Sequence, residues 1–121
     1  VAQGALAVQI RTPLDDRSAA VKHPVAELTC VDSLAEVTAE RALLAFLDGS
    51  CQTPIWASAK LTRSARSNNE KRLSLDGMIL SLDGRVAHRL QLDAPVDDAV
   101  ALGETVGAQL LEMAGGRGFL A

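Results

Sequence analysis

The stretch LSLDGMILSLDGRVAHRLQL, from Leu73 to Leu92, predicts a β-hairpin around which the rest of the chain can be arranged. Its turn is Asp83-Gly84, a pair typical of two-residue type I′ turns. Such a turn fixes the register by three pairs: Leu82 with Arg85, Leu80 with Ala87 and Met78 with Arg89. One face of the hairpin is then apolar, and we expect it to meet the core: Leu75, Ile79, Val86, Leu90 and Leu92.

The two faces of this hairpin have different expected surroundings. Gly77 lies on the core face, where the missing side chain lets a helix approach closely. Met78 and Leu80 lie on the outer face, near Trp56. This outer face is more apolar than an isolated domain needs, which indicates a partner or a neighbouring domain.

The segment before the hairpin predicts a helix and a further strand. Ser33 and Glu36 have the spacing of a capping box, with Ser33 as N-cap. An apolar stripe with helical spacing follows: Ala39, Ala42, Leu43, Phe46 and Leu47. Gly49 fits the C′ position that ends such a helix. Apolar and polar residues then alternate from Ile55 to Thr62, as in a strand.

Both ends of the chain predict further elements. Pro95 can open a last helix, which Gly115-Gly116 would end. Gly103 and Gly107 are its packing positions. Its apolar stripe consists of Ala99, Leu102, Val106, Leu110 and Met113. An earlier helix starts near Asp15-Asp16, and Pro24 either interrupts it or starts a second one. Ala5–Arg11 is predicted as a short strand.

These elements predict an α+β fold. Its sheet has three strands, mostly antiparallel, near residues 55–62, 72–82 and 85–93. About three helices lie on one face of the sheet, and a separate N-terminal strand precedes it. The order of the elements, helices then strands then a helix, is typical of this class.

The composition excludes several classes of function. The chain has 121 residues, of which 48% are hydrophobic and 2% aromatic, so the core must be built from Leu, Val, Ile and Ala. A net charge of −3 does not favour binding to nucleic acid or an anionic membrane. There is no apolar run of the ~20 residues that span a bilayer, and no Cys/His cluster with zinc spacing. Two cysteines without a disulfide pattern indicate a reducing compartment.

The stretch DGSCQTPI, residues 48–55, places Cys51 just after the predicted helix end. There the helix dipole is negative and Asp48 adds a carboxylate, so a resting thiolate is not favoured. Two interpretations stay open: a small apolar residue in a turn, or a thiol that reacts once with a strong electrophile and stays bonded. Cys30 is predicted to be structural, and both histidines to be ordinary packed or surface residues.

Two longer stretches carry a family resemblance. VTAERALLAFLDGSCQTPI, residues 37–55, and VAQGALAVQIR, residues 1–11, resemble the C-terminal part of the porphobilinogen deaminase (hydroxymethylbilane synthase) family. The LDG turn and the Gly-bearing last helix fit as well. The chain departs from the family pattern at four positions: Ala2, Ser50, Thr53 and Trp56.

The resemblance implies a function in tetrapyrrole (haem) biosynthesis. The family condenses four porphobilinogen molecules head to tail, releases ammonia and forms hydroxymethylbilane. The growing chain is held on a dipyrromethane cofactor, joined by a thioether to the motif cysteine, which is Cys51 here. Gln3 and Gly4 would line the cleft of the complete enzyme. The catalytic aspartate and the arginines that bind acetate and propionate side chains lie in two upstream domains, so no catalytic residue is expected in these 121 residues.

The resemblance also predicts how the chain is divided. Residues 1–11 would be the final strand of an upstream domain, and residues 14–121 the cofactor-anchoring domain. The complete protein would be a cytoplasmic monomer that works on porphobilinogen without a metal, and the 121 residues alone would be inactive. The alternative hypothesis is a free-standing, non-catalytic binding or interaction module related to that domain.

Overall fold

The chain folds into three helices and one sheet in the computed structural model, which describes residues 2–11, 15–48, 54–63 and 70–120. In order, the elements are α1 (Asp16–Ala26), α2 (Val31–Phe46), β1 (Ile55–Arg63), β2 (Lys71–Leu80), β3 (Ala87–Pro95) and α3 (Ala99–Met113). Short 3-10 turns cover Val96–Asp98 and Arg117–Leu120.

The sheet is antiparallel, with strand order β1-β2-β3. Its register is the predicted one, since Met78 lies opposite Arg89 and Leu80 opposite Ala87. Gly77 pairs with Leu90, so Leu90 shares a face with the fully buried Ile79. The α+β class and the core face of the hairpin are therefore confirmed.

The turn of the hairpin differs from the predicted type. The backbone N–H of Ser81 donates to the carbonyl oxygen of Val86 over 2.8 Å, so four residues form the loop instead of two. In this loop only Gly84 has a positive φ, of 71°, whereas a type I′ turn needs two such residues. The Asp83 carboxylate accepts from the Ser81 hydroxyl and the Arg85 N–H, which favours the wider turn. Val86, predicted in the core, is consequently 46% exposed.

The core lies between one face of the sheet and helices α2 and α3. As the composition predicts, it is built only from aliphatic residues among the described part of the chain, and its fully buried large members are Leu43, Leu73, Leu75, Ile79, Val106 and Leu110. Gly77 makes the predicted close approach, because a Cβ there would lie 2.9 Å from Val106 Cγ1. By contrast, none of the α1 residues whose burial is described belongs to the core. Pro24 lies inside α1 without ending the helix.

Trp56 and Met78 lie on the outer face of the sheet, as predicted. Trp56 pairs with Met78 across β1 and β2 and is 39% exposed. The Arg89 guanidinium lies 5.6 Å from the centroid of the Trp56 ring and donates to both oxygens of Asp76. These hydrogen bonds lower the pKa of Asp76.

Helix α2 begins and ends earlier than predicted. Cys30, not Ser33, is its N-cap residue, and no side chain caps it. The capping box is therefore not formed. At the other end Leu47 is the C-cap residue, so Asp48 occupies the C′ position with a φ of 52°. Gly49, for which we predicted that position, lies outside the described residues.

Helix α3 ends as predicted but starts differently. Pro95 is the last residue of β3, and the helix begins at Ala99 after a 3-10 turn. At its end Gly116 N–H donates to the Leu111 carbonyl and Gly115 N–H to the Glu112 carbonyl, as in a Schellman motif. Leu111 is buried, whereas Met113, predicted in the apolar stripe, is 50% exposed at the last helical residue.

The predicted N-terminal strand is not formed in this structure. Residues 5–11 have no strand partner within the described ranges, and Leu6 and Val8 are exposed. A strand is stable only when a neighbour receives its backbone hydrogen bonds. The outer edge of β1 does not serve as that neighbour, because two glutamates of α2 accept from its N–H groups. That residues 1–11 belong to an upstream domain stays a prediction.

Replacing Gly103 by alanine is expected to destabilise the fold. A Cβ at this position would lie 2.5 Å from the Ala39 carbonyl oxygen and 2.7 Å from the Leu43 nitrogen, which are backbone atoms that cannot rotate away. Overpacking of this kind costs ~1–3 kcal/mol, which exceeds the ~1 kcal/mol that alanine gains in a helix interior. The free energy of unfolding, measured by urea denaturation, should fall.

Gly118→Ala is the matched control, because nothing lies within 4 Å of a Cβ there. Its stability should stay within ~0.5 kcal/mol of the parent. Equal stabilities of the Gly103 and Gly118 variants would contradict the proposed close contact.

Candidate functional site

The predicted attachment residue, Cys51, lies outside the described residues, but the structure describes both ends of the segment that carries it. The segment 49–53 connects the end of α2 to the start of β1. Asp48 is the last described residue before this segment, and Pro54 is the first described residue after it.

The first end of this segment is held by Arg117 from the C-terminal 3-10 turn. Nη1 of Arg117 lies 2.8 Å from Asp48 Oδ2, and Nη2 donates to the Phe46 carbonyl oxygen over 2.9 Å. The guanidinium also lies 5.9 Å from the centroid of the Phe46 ring. The last carbonyls of a helix lack partners within it, so Arg117 caps α2 from 71 positions later in the chain.

The second end is held by the sheet. The Pro54 carbonyl oxygen accepts from the Leu80 N–H over 3.0 Å, and Ile55 pairs with Ile79 as the first residue of β1. Ile79 is fully buried. The strand that follows Cys51 is thus fixed to the core from its first residue.

Gln3 and Gly4, the other predicted site residues, line a cavity of about 440 Å³ beside β1. Their neighbours Ala2 and Ala5 line the same cavity, and the other described lining residues belong to α2 and to residues 55–58 of β1. The structure therefore brings Gln3 and Gly4 to the strand that follows Cys51. Both are exposed, and a Cβ at Gly4 would meet nothing within 4 Å, so no contact among the described residues requires glycine there.

Two glutamates organise this cavity. Glu40 accepts from the Ala59 N–H through Oε1 at 2.9 Å and from the Ala2 N–H through Oε2 at 2.6 Å. Glu36, one helical turn earlier, accepts from the Leu61 N–H at 2.9 Å. Glu40 therefore joins the N-terminal segment to β1, and both glutamates satisfy N–H groups on the outer edge of the sheet.

The charge of this cavity limits what it can bind. Among the described residues that line it, Glu36 and Glu40 are titratable, and none is a lysine, arginine or histidine. Acetate and propionate side chains, as on the dipyrromethane that the resemblance implies, need cationic or N–H partners. The described lining of this cavity offers no cation to such carboxylates.

Cys30 differs from its predicted structural role. It is a free, exposed thiol at the N-cap of α2. The Ser33 hydroxyl donates to its sulfur over 3.3 Å. This hydrogen bond, followed by the backbone N–H groups of Ser33 and Asp32, lowers the pKa of the Cys30 thiol.

Both histidines lie where ordinary surface or packed residues would. His23 lies 3.4 Å from Glu27 on exposed α1, and His88 is half-buried with its ring stacked edge-on against Phe119 at 5.1 Å. The described residues contain no group of three or more metal-ligating side chains. None of the helices in the described ranges has the length and apolar content that a bilayer span requires.

Glu40→Ala is expected to release the Ala59 amide while leaving Leu61 protected. Hydrogen bonds to charged groups contribute ~1.5–3 kcal/mol, so exchange of the Ala59 amide should become at least about tenfold faster. Amide hydrogen exchange followed by NMR measures both positions. Glu36→Ala is the matched control and should expose Leu61 instead. Parallel changes at both amides in either variant would contradict separate roles.

Cys30 is expected to react with iodoacetamide at lower pH than an ordinary thiol of pKa ~8.5. Since the thiolate is the nucleophile, a lowered pKa increases the rate at neutral pH. The rate is measured against pH in a Cys51→Ala background, where only Cys30 remains. Ser33→Ala should move the midpoint upward, because the donor that favours the thiolate is lost. An unchanged midpoint would contradict the hydrogen bond.

Comparison with known proteins agrees with the family resemblance of the sequence. A family model described as the C-terminal domain of porphobilinogen deaminase matches residues 34–112. The porphobilinogen deaminase of Mycobacterium avium (strain 104) is 42% identical over 114 residues, which cover 93% of this chain and 35% of that relative. The porphobilinogen deaminase of Mycobacterium tuberculosis (strain ATCC 25618 / H37Rv) is 41% identical over 114 residues, which cover 36% of that relative. The chain thus spans about a third of the length of these relatives. With more than half of its residues matched by the family model, the chain belongs to the porphobilinogen deaminase family and carries its C-terminal domain.

Proposed function

We propose that this chain is the cofactor-anchoring part of an enzyme that condenses four porphobilinogen molecules into hydroxymethylbilane, and that Cys51 is the anchor. The observation that carries the proposal is the family match over residues 34–112, which contains Cys51 within the motif stretch 37–55. Cys30 is also inside the chain but lies before the matched residues and outside that motif.

The role of Cys51 is that of a nucleophile that reacts once. Loss of the amino group from porphobilinogen leaves an electrophilic methylene carbon, to which the sulfur adds. The C–N bond breaks, the S–C bond forms, and the thiol hydrogen leaves with the amine as ammonia. When bound, the dipyrromethane supplies the pyrrole carbon to which the next porphobilinogen is joined. A thioether is not cleaved by this chemistry, so the anchor persists.

The remaining described residues support the anchor but do not perform the condensation. Glu40 holds the segment with Gln3 and Gly4 against β1, and we propose that these two residues face the bound pyrroles. The lining residues that the structure describes include two carboxylates and no cation, which supports placing the arginines for acetate and propionate in other domains. The much greater length of the relatives leaves room for such domains.

From the family resemblance we also propose that the complete protein is a cytoplasmic monomer and that the 121 residues alone are inactive. Positioning and charge stabilisation usually provide most of a rate enhancement. The groups that provide them are expected upstream of this chain.

Cys51→Ala in the full-length enzyme is expected to abolish both cofactor attachment and turnover. Without the sulfur no thioether forms, and no other residue from Asp48 to Ile55 offers an equivalent nucleophile. Intact-mass spectrometry detects the dipyrromethane adduct, and hydroxymethylbilane formation is followed with porphobilinogen as substrate.

The matched control is Cys30→Ala, which should retain the adduct and the activity. An adduct on the Cys51→Ala enzyme would show that another residue is the anchor. A full-length enzyme that carries no adduct and does not consume porphobilinogen would favour the non-catalytic binding module instead.

A further inference from the structure

The outer face of the sheet is apolar at the end that carries Trp56. Trp56 lies opposite Met78, and Met78 lies opposite Arg89, so these three residues form one row across the strands. Leu80 shares this face of β2, because residues two apart in a strand point to the same side. Trp56 is 39% exposed, and Met78 and Leu80 are half-buried. We call the surface formed by these four residues the Trp56 patch.

The other end of the same face is polar and satisfies its own groups. Gln91 Nε2 donates to the Ser74 hydroxyl over 2.8 Å, and the Thr62 hydroxyl donates to the Arg72 carbonyl oxygen over 3.4 Å. Lys60 is exposed at this end. Such a surface is suited to water, whereas tryptophan, methionine and arginine are the side chains enriched at protein interfaces. The two ends of one sheet face therefore have different expected surroundings.

Arg89 and Asp76 hold the Trp56 ring in place. The Arg89 guanidinium donates to both oxygens of Asp76 and lies 5.6 Å from the centroid of the Trp56 ring. These hydrogen bonds raise the pKa of Arg89 and lower that of Asp76, so both groups are charged at neutral pH. A bidentate pair fixes the plane of the guanidinium, so the ring beside it has less freedom to lose on binding. Because the cation of the patch is already paired, an apolar partner fits it better than an anion.

The N-terminal segment indicates which part of the protein lies next to the patch. Residues 2–5 line the same cavity as Trp56, and Glu40 accepts from the Ala2 N–H over 2.6 Å. In a longer protein, the chain that precedes Ala2 therefore arrives beside Trp56. The matched stretch is only 35% of the relative from Mycobacterium avium, and the family model is that of a C-terminal domain. Most of the length of that relative thus precedes the region matched here.

We propose that the Trp56 patch is a docking surface for the part of the same protein that precedes residue 1, with Trp56 as its anchor and Arg89 and Asp76 as the pair that positions the ring. This inference rests on the proposal that the chain is one part of a longer enzyme, but not on which cysteine carries the cofactor. Trp56 is one of the four departures from the family pattern, so the anchor is a feature of this chain.

The test uses the full-length protein and amide hydrogen exchange followed by mass spectrometry. In Trp56→Ala we expect a stretch of the chain before residue 1 to exchange at least about tenfold faster, because truncating a central aromatic of an interface weakens it by such a factor. Arg89→Ala should accelerate the same stretch by a smaller factor, since the ring remains but is no longer held. Peptides of α3 should exchange as in the parent, which shows that the core is intact in both variants.

Lys60→Ala is the matched control, because Lys60 lies on the same face of β1 as Trp56 and is also exposed. Exchange before residue 1 should be the same in this variant as in the parent.

The inference is overturned if Trp56→Ala changes exchange only within the sheet, or if Lys60→Ala produces the same acceleration before residue 1. It is also overturned if native mass spectrometry shows a dimer that Trp56→Ala dissociates, since a second copy then covers the patch. Failure of the proposed function gives a different result, namely a full-length protein that carries no adduct and does not turn over, whatever its hydrogen exchange.

Discussion

The contact between Gly103 of α3 and the backbone of α2 is the constraint on which the rest of the structure depends. Because Gly103 has no side chain, the two helices meet at van der Waals distance beside Ala39 and Leu43. Leu43 in turn packs over Gly77 in the central strand. Helix α2 is therefore fixed from two sides by positions without a side chain, and its rotation about its own axis is determined.

That rotation places the functional parts of α2. Because Ala39 and Leu43 are buried, Glu36 and Glu40 point to the edge of β1. There they accept hydrogen bonds from two N–H groups of the strand, and Glu40 also accepts one from Ala2. The same rotation brings the end of the helix to Arg117 and to the segment with Cys51. Glutamates at the edge of a sheet also disfavour pairing with another chain, since two of the N–H groups that would bind it, those of Ala59 and Leu61, are already satisfied.

The hairpin shows how far the sequence determines the fold. Alternation from Leu73 to Leu92 predicted the register and the core face, because a shift by one residue would bury the polar set. It did not predict the turn, because the Ser81 and Asp83 side chains compete with the two-residue loop. Likewise Ser33 and Glu36 have the spacing of a capping box, yet Glu36 bonds a strand instead. Local patterns give the elements, and tertiary hydrogen bonds decide between their alternatives.

Only the part of the candidate site that lies within a short contiguous motif could be predicted from the sequence. Cys51 and its neighbours are contiguous in sequence, so a family pattern is enough to propose them as the attachment site. Arg117 and Glu40 act on residues 69 and 38 positions away, and periodicity contains no information on such pairs. An acidic pair spaced i, i+4 on a helix beside an edge strand is a signal that could have indicated Glu36 and Glu40.

The proposed chemistry explains how a domain with only two charged residues among the described lining of its cavity could serve as the anchor. Capture of an electrophilic carbon by a thiol requires one nucleophile at the right place, and the described contacts fix both ends of the segment that contains it. Recognition of several carboxylates requires several cations, and the described lining of the cavity, with its two glutamates, offers none. If the proposed function holds, covalent attachment and charge recognition would reside on different domains, and the anchor would hold the growing chain while other groups act on its free end. Such a division would require that the anchor does not bind the carboxylates tightly, which agrees with the two glutamates among the described lining residues beside β1.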